Sequence, residues 1–157
     1  MAGRDYPAIA RAVAARVGPG AGAEERMRAA VDALWAALSA AGVSWCGFYL
    51  PAPGGRELVL GPRRPGPACS PIGLEGVCGR AWRERRALVV RDVRELGGAY
   101  IPCDERDRSE AVVPVPGPGG EPLAVLDLDS HEVGAFSDRD AEGLELVLRA
   151  AGLAPPA

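Results

Sequence analysis

Cys103 is the residue in the most reactive chemical setting of this sequence. It stands between Pro102 and Asp104 in "YIPCDERDRSE", residues 100–110, and charged residues continue to Glu110. A single cysteine is more often a small buried apolar residue than a reactive group. A loop cysteine beside charged side chains can instead react as a thiolate. An acid nearby raises a thiol's pKa but can also protonate a leaving oxygen, which suits reduction of an oxidised substrate better than hydrolysis.

The other three cysteines differ in their settings. Cys46, within "SWCGFYL", fits a buried strand residue. Cys69 lies in a Gly/Pro-rich loop, and Cys78 falls in the first turn of a predicted helix, where the helix dipole favours a thiolate. No two cysteines form a CxxC pair and the chain has one histidine, so we expect no zinc site, and no metal or cofactor.

Three carboxylates are predicted to share one face of a hairpin. A four-residue loop over 117–120 would place Glu110 opposite Asp127, and Asp129 follows two residues later on the same face. Opposed like charges destabilise a sheet, so something should compensate for them. Two interpretations remain open: a solvated outer face, or a patch that binds a cation such as an amine or a hard metal ion.

The elements that must position these groups follow from hydrophobic spacing. Apolar residues at helical spacing predict an amphipathic helix over 24–41 and another near the C-terminal end, which Ser137 and Asp140 begin as a capping box. A short helix is predicted over 76–85. Short apolar runs predict strands over 43–50, 57–61, 87–93, 110–115 and 122–130. The expected fold is α+β, an antiparallel sheet of five or six strands with helices packed on it.

Composition narrows the class of protein. The chain has 157 residues, enough for one domain with a proper core, and 48% hydrophobic and 25% charged residues are typical of a soluble globular protein. A net charge of -3 argues against a general nucleic-acid or anionic-membrane binder. Arg11 and Arg16 interrupt the N-terminal apolar stretch, so it does not resemble a secretion signal, and we expect a cytoplasmic protein with no membrane span.

A family resemblance emerges from motifs taken in order. They are "SWCGFYL", "LVLGP", "PAC", "GVCGRAW", "DV", "IPCDERDRSEAVVPV", "LAVLDLDS" and "FSDRDAEGL". Together they resemble the GAF-domain free methionine-(R)-sulfoxide reductases over residues 24–150. The resemblance implies a single GAF domain across 1–157, with a central antiparallel sheet and flanking helices, and oxidoreductase activity on free methionine (R)-sulfoxide. The resemblance also suggests that the protein forms a homodimer.

The resemblance implies a role for each of three cysteines. Cys103 matches the nucleophile that attacks the sulfoxide sulfur and becomes a sulfenic acid. Cys69 matches the thiol that condenses with it to a disulfide, which thioredoxin then reduces. Cys78 matches a third family cysteine with an auxiliary or alternative resolving role.

The resemblance also implies the substrate-binding residues. Glu110, Asp127 and Asp129 match carboxylates that bind the substrate's ammonium group and polarise or protonate the sulfoxide oxygen. Trp45 matches the indole against which the substrate's methyl group packs, with Tyr49 nearby. The competing hypothesis is a GAF module that binds a small ligand or senses redox state without turnover, since fold alone does not decide function. A resolving thiol favours the enzyme.

The chain departs from the family pattern beside the nucleophile. The family has His-Ile-Ala before the catalytic cysteine, whereas this chain has Tyr100, Ile101 and Pro102. Proline removes a backbone donor that could meet the substrate carboxylate, and the Tyr100 hydroxyl could supply one instead. The segment from Cys69 to Cys78 is also about one residue shorter than in the family.

Overall fold

A computed structural model describes residues 3–156. The strands are β1 (Trp45–Pro51), β2 (Glu57–Arg64), β3 (Ile72–Gly73), β4 (Leu88–Val90), β5 (Ser109–Val115) and β6 (Ala124–Ser130). They form one sheet in the order β3-β2-β1-β6-β5-β4, with every neighbouring pair antiparallel. The predicted α+β class with about six antiparallel strands is therefore confirmed.

Helices cover both faces of the sheet. They are α1 (Tyr6–Arg16), α2 (Ala23–Leu38), α3 (Val77–Glu84) and α4 (Asp138–Ala150). Helices α1, α2 and α4 share one apolar core with the first face, whereas α3 packs against β5 and β6 on the second face. Within the described range, none of the helices is long and apolar enough to cross a membrane.

Helix α2 forms for the reason its sequence predicts. Met27, Val31, Leu34 and Leu38 recur at helical spacing and are almost completely buried against the sheet. The predicted range 24–41 is three residues too long at its C-terminal end. The chain leaves the helix in a turn at Gly42, where φ is 92° and glycine is favoured.

Helices α1 and α4 are joined through one buried carboxylate. The predicted capping box is present, with the Asp140 carboxylate accepting from the Ser137 backbone N–H at 2.8 Å. Asp140 also accepts hydrogen bonds from the Tyr6 hydroxyl at 2.6 Å and from Arg4 at 2.8 Å. Helix α1 was not predicted from the sequence, although Asp5 caps it by accepting from the Ala8 N–H.

Strands β5 and β6 pair in a register two residues away from the predicted one. The four-residue loop over 117–120 would set Glu110 opposite Asp127, but Glu110 pairs with Asp129 and the loop spans 116–123. Three prolines in that span have no N–H for the ladder, so pairing stops earlier than predicted. Because side chains alternate with a period of two, a slip of two residues leaves all three carboxylates on the same face.

One predicted strand is too long, and one strand was not predicted. The strand predicted over 87–93 ends at Val90, because the Asp92 carboxylate accepts from the Arg94 N–H and begins a 3₁₀ turn at Val93–Glu95. Strand β3 is two residues long and was not predicted.

Candidate active site

The structure joins Cys69 and Cys103 in a disulfide, with their Cα atoms 5.6 Å apart. Cys69 lies in the loop between β2 and β3, and Cys103 lies in the irregular segment before β5. This is the pair that the family resemblance implied, and the shorter segment between Cys69 and Cys78 does not prevent it. Cys46 is free and buried in the other core, as its strand position predicted.

The three predicted carboxylates meet in the interior of the second face. Glu110, Asp127 and Asp129 each offer an oxygen atom within 4.8 Å of the others. Glu110 is 6% exposed and Asp127 is 5% exposed, so the interpretation as a solvated outer face is wrong. Burial, with repulsion from neighbouring carboxylates, raises the pKa of all three, to about 7 for Asp127.

The carboxylate group is incompletely satisfied by the protein. Asp127 Oδ1 is buried and has no hydrogen-bond partner among the residues the structure describes. A buried acceptor without a partner costs about 1–3 kcal/mol. The cluster is therefore suited to a cation or a hydrogen-bond donor brought by a ligand.

The disulfide and the carboxylates open onto one cavity. Its volume is about 50 Å³, room for a few water molecules. Its lining comprises Trp45, Tyr49, Ala68, Ile72, Gly76, Val77, Cys78, Tyr100, Ile101, Cys103, Asp107, Glu110, Asp127 and Asp129. Seven of the eight predicted site residues line this cavity. The eighth, Cys69, is adjacent to it, because it follows Ala68 of the lining and is bonded to Cys103.

Trp45 and Tyr49 hold the loop that carries Cys69. The Trp45 indole N–H donates to the Gly66 carbonyl at 2.9 Å, and the Tyr49 hydroxyl donates to the Cys69 carbonyl at 2.7 Å. Their ring centroids are 6.1 Å apart, which makes a continuous aromatic wall. Both side chains project from β1 toward the cavity, so the strand positions the aromatic wall and the loop that carries Cys69 together.

The expectation of a Cys78 thiolate is wrong. Cys78 does lie in the first turn of α3, but its side chain is buried beside Asp127 and Glu110. Burial, followed by the charges of those carboxylates, raises the pKa of the Cys78 thiol well above its ordinary value. Three carboxylates close by outweigh the partial positive charge of a two-turn helix.

One of the two residues that depart from the family pattern, Tyr100, forms part of the cavity wall. Tyr100 lines the cavity, and burial raises the pKa of its hydroxyl, which therefore remains a donor at neutral pH. The Cys103 N–H donates to the Ile101 carbonyl at 3.0 Å, across Pro102. That backbone donor is therefore engaged within its own loop.

Sequence reasoning missed two polar residues of this region. Asp107 lines the cavity, and His131 follows β6 with its Nε2 atom 3.7 Å from Asp107 Oδ1. Asp107 belongs to the charged run after Cys103, which was visible in the sequence, but only the fold reveals that its side chain turns inward. His131 is the only histidine, and nothing in its local sequence indicated this contact.

The chemistry of the lining favours an organic cation over a metal ion. Three carboxylates could hold a hard metal ion. The same cavity also presents Trp45, Tyr49 and Ile72 to its contents, and aromatic and aliphatic side chains contribute nothing to metal coordination. An amine with an apolar portion would use both kinds of lining.

The fold and the paired cysteines define a class. The family model of the GAF domain matches residues 20–154, so the chain belongs to the GAF domain family. The free methionine-R-sulfoxide reductase of Saccharomyces cerevisiae is 37% identical over 105 residues, which cover 66% of this chain and 58% of that protein. The chain spans 58–67% of the length of the curated relatives it matches.

Solved structures agree with the sequence relatives. The structure of fRMsr of Staphylococcus aureus in its reduced form is 34% identical, with a TM-score of 0.79 over 95% of this chain and 94% of that one. The free methionine-R-sulfoxide reductase from Neisseria meningitidis, solved in complex with its substrate, is 28% identical, with a TM-score of 0.81 over 98% and 94% of the two chains.

Proposed function

We propose that this protein is an oxidoreductase that reduces free methionine (R)-sulfoxide to methionine and is oxidised to its own disulfide. The observation that carries the proposal is the disulfide between Cys69 and Cys103 on the wall of a cavity that also holds three buried carboxylates. A ligand-binding module needs a cavity but has no use for a pair of thiols that closes over it. The reductases among its relatives support the same reaction.

The reaction proceeds in two steps that balance. The Cys103 thiolate attacks the sulfoxide sulfur, the S–O bond breaks, and the oxygen passes to Cys103 with one proton as a sulfenic acid. Two electrons go from the Cys103 sulfur to the substrate, which leaves as methionine. Cys69 then attacks the sulfenic sulfur, which forms the disulfide and releases the oxygen as water with a second proton.

The carboxylates supply the proton and bind the substrate's amine. Burial raises the pKa of Glu110 and Asp129 well above the usual range of carboxyl groups, which favours their protonated forms as donors to the sulfoxide oxygen. Asp127, with a pKa of about 7 and an unpaired oxygen, is the natural acceptor for the ammonium group. Burial of one cation among several carboxylates also relieves their mutual repulsion.

The remaining parts of the substrate fit the rest of the wall. We propose that the methyl and methylene groups pack on Trp45, near Tyr49, and that the Tyr100 hydroxyl donates to the substrate carboxylate. Thioredoxin, with its own dithiol, then reduces the disulfide by exchange at the mouth of the cavity. Cys78, buried and protonated, is a poor attacking thiol, so we assign the resolving role to Cys69.

The test is a coupled assay with thioredoxin, its reductase and NADPH. We expect NADPH consumption with the R epimer of free methionine sulfoxide and none with the S epimer. N-acetylation removes the ammonium charge and should cut kcat/KM at least tenfold, as should Asp127→Asn, because a charge-assisted contact contributes about 1.5–3 kcal/mol.

Cysteine variants distinguish turnover from stoichiometric reaction. Cys69→Ser should release about one methionine per chain and then stop, while Cys103→Ser should release none. Multiple turnover by Cys103→Ser would show that another residue is the nucleophile. A native protein inert with both epimers, yet able to bind them, would be a non-catalytic GAF module.

A further inference from the structure

We propose that Asp107 and His131 form a proton relay between bulk water and the buried carboxylates. The inference rests on the proposed reductase function and adds two residues to it. The relay follows from the position of each side chain between the solvent and the site where oxygen leaves.

Protons must reach carboxylates that lie largely below the protein surface. Each turnover places two protons on the departing oxygen. Glu110 and Asp127 are each more than nine-tenths buried, so bulk water does not reach them directly, whereas Asp129 is only partly buried. Protons for Glu110 and Asp127 must therefore come through a neighbouring group that lies closer to the solvent.

Asp107 occupies the wall between two spaces. It lines the inner cavity, together with the carboxylate cluster, and it also lines an outer groove of about 640 Å³. Its side chain is 10% exposed. A carboxyl group in this position can take a proton on one side and release it on the other.

His131 connects Asp107 to the solvent. Its imidazole is 39% exposed and lines the outer groove, and its Nε2 atom is 3.7 Å from Asp107 Oδ1. Imidazole is the side chain best suited to exchanging protons near neutral pH. Nε2 is also 3.5 Å from Asp104 Oδ2, but both oxygens of Asp104 already accept hydrogen bonds from Arg106. Asp107 is therefore the better proton acceptor of the two.

The surroundings of Asp107 bring its pKa into a range that suits proton transfer near neutral pH. Burial, then the charge of Asp104, raises its pKa to about 6, while His131 and the nearby arginines oppose that rise. The titratable and charged groups around it are Asp104, Arg106 and Arg108 of its own loop, His131 after β6, Tyr100, and the cluster of Glu110, Asp127 and Asp129. A carboxyl group of this kind is neither permanently charged nor permanently protonated at the pH of the cell.

The transfer itself is balanced. The partly exposed imidazole of His131 first closes the 3.7 Å gap to hydrogen-bond distance. In its protonated form it then gives the Nε2 proton to Asp107 and recovers one from water in the groove. Asp107 passes its proton through water in the cavity, which has room for it, to the carboxylate cluster. The cluster gives it to the oxygen that leaves the substrate sulfur, and no electrons move in the relay.

The test compares Asp107→Asn and His131→Ala with Glu105→Gln in the coupled assay from pH 5.5 to 9. Glu105 lies in the same loop and the same groove but is exposed, so its change controls for loss of one negative charge. We expect kcat to fall about tenfold or more in Asp107→Asn, with KM within about twofold of native and the pH dependence near 6 removed. His131→Ala should be slow, and added imidazole should restore its kcat in proportion to concentration. Glu105→Gln should behave as native.

Several outcomes would overturn the relay. Native kcat and an unchanged pH profile in both variants would do so, as would failure of imidazole to rescue His131→Ala. An increase in KM of Asp107→Asn with native kcat would assign Asp107 to binding of the ammonium group instead. If Asp107→Asn does not fold, His131→Ala with imidazole decides the question. An inactive native protein would overturn the reductase proposal, and the relay with it. The outcomes above, in which the native protein is active, overturn the relay alone.

Discussion

Replacement of Asp127 by asparagine should stabilise the fold while it weakens the enzyme. Asp127 is 5% exposed, and its Oδ1 atom has no hydrogen-bond partner among the described residues. An ionised carboxylate in that position lies among other acids without a cation. Asparagine keeps the shape, removes the charge, and offers an N–H₂ group to the neighbouring carboxylates.

The magnitude follows from the pKa of the buried group. Burial raises it from 3.8 to about 7, and each unit is about 1.4 kcal/mol. Because the folded state binds the proton more tightly than the unfolded state, the free energy of unfolding falls as pH rises from 3.8 to about 7. The total decrease in the free energy of unfolding is about 4 kcal/mol and is complete above pH 7. About 2–3 kcal/mol of this decrease occurs between pH 5 and pH 8.

The assay is urea unfolding of the disulfide form at pH 5 and at pH 8. Asp127→Asn should gain more stability over the native protein at pH 8 than at pH 5, by about 2–3 kcal/mol. The matched control is Asp92→Asn. Hydrogen bonds from Arg94 lower the pKa of Asp92 to about 2, so its stabilising effect is complete above the unfolded value and is lost only as pH falls toward 2.

Asp92→Asn should therefore cost stability by the same amount at pH 5 and at pH 8. The reasoning is refuted if Asp127→Asn is destabilised equally at both values. It is also refuted if the two variants show the same pH dependence, because their pKa shifts have opposite signs.

Three further outcomes are expected. Tyr6→Phe should lower the free energy of unfolding by about 1–3 kcal/mol, since Asp140 loses a buried hydrogen bond of 2.6 Å; an unchanged midpoint in urea would contradict this. Cys78 should resist iodoacetamide in the native protein at pH 8, because its thiol is buried and protonated; rapid alkylation would show that it is accessible as a thiolate. Calorimetry should detect binding of free methionine sulfoxide to the Cys103→Ser protein, which has no nucleophile, but not to the disulfide form, because a cavity of about 50 Å³ closed by Cys103 does not admit an amino acid; equal binding to both would contradict it.

Much of the fold could be predicted from periodicity. Helix α2 and the pairing of β5 with β6 follow from apolar residues at helical and alternating spacing. Helix α1 could not, because alanine and arginine give it only a weak apolar stripe, and it is held by the contact of Tyr6 and Arg4 with Asp140, far along the chain. Two-residue β3 has no pattern of its own, since it depends on pairing with β2.

The candidate site was predictable where spacing alone determines a face. The carboxylates at 110, 127 and 129 share a face in either register, since the predicted and observed pairings differ by an even number of residues. The protonation state of Cys78 was not predictable, because the carboxylates that decide it belong to other elements. Asp107 and His131 come together through a loop and a turn that follow no sequence period.

Single turnover by the reduced native protein, without thioredoxin, tests whether Cys103 and Cys69 together reduce the R epimer of free methionine sulfoxide. The protein is mixed with an excess of each epimer of free methionine sulfoxide under anaerobic conditions, then quenched, and both methionine and disulfide are quantified. We predict about one methionine and one disulfide between Cys69 and Cys103 per chain from the R epimer, and neither from the S epimer. No methionine from either epimer, or methionine without that disulfide, would contradict the account.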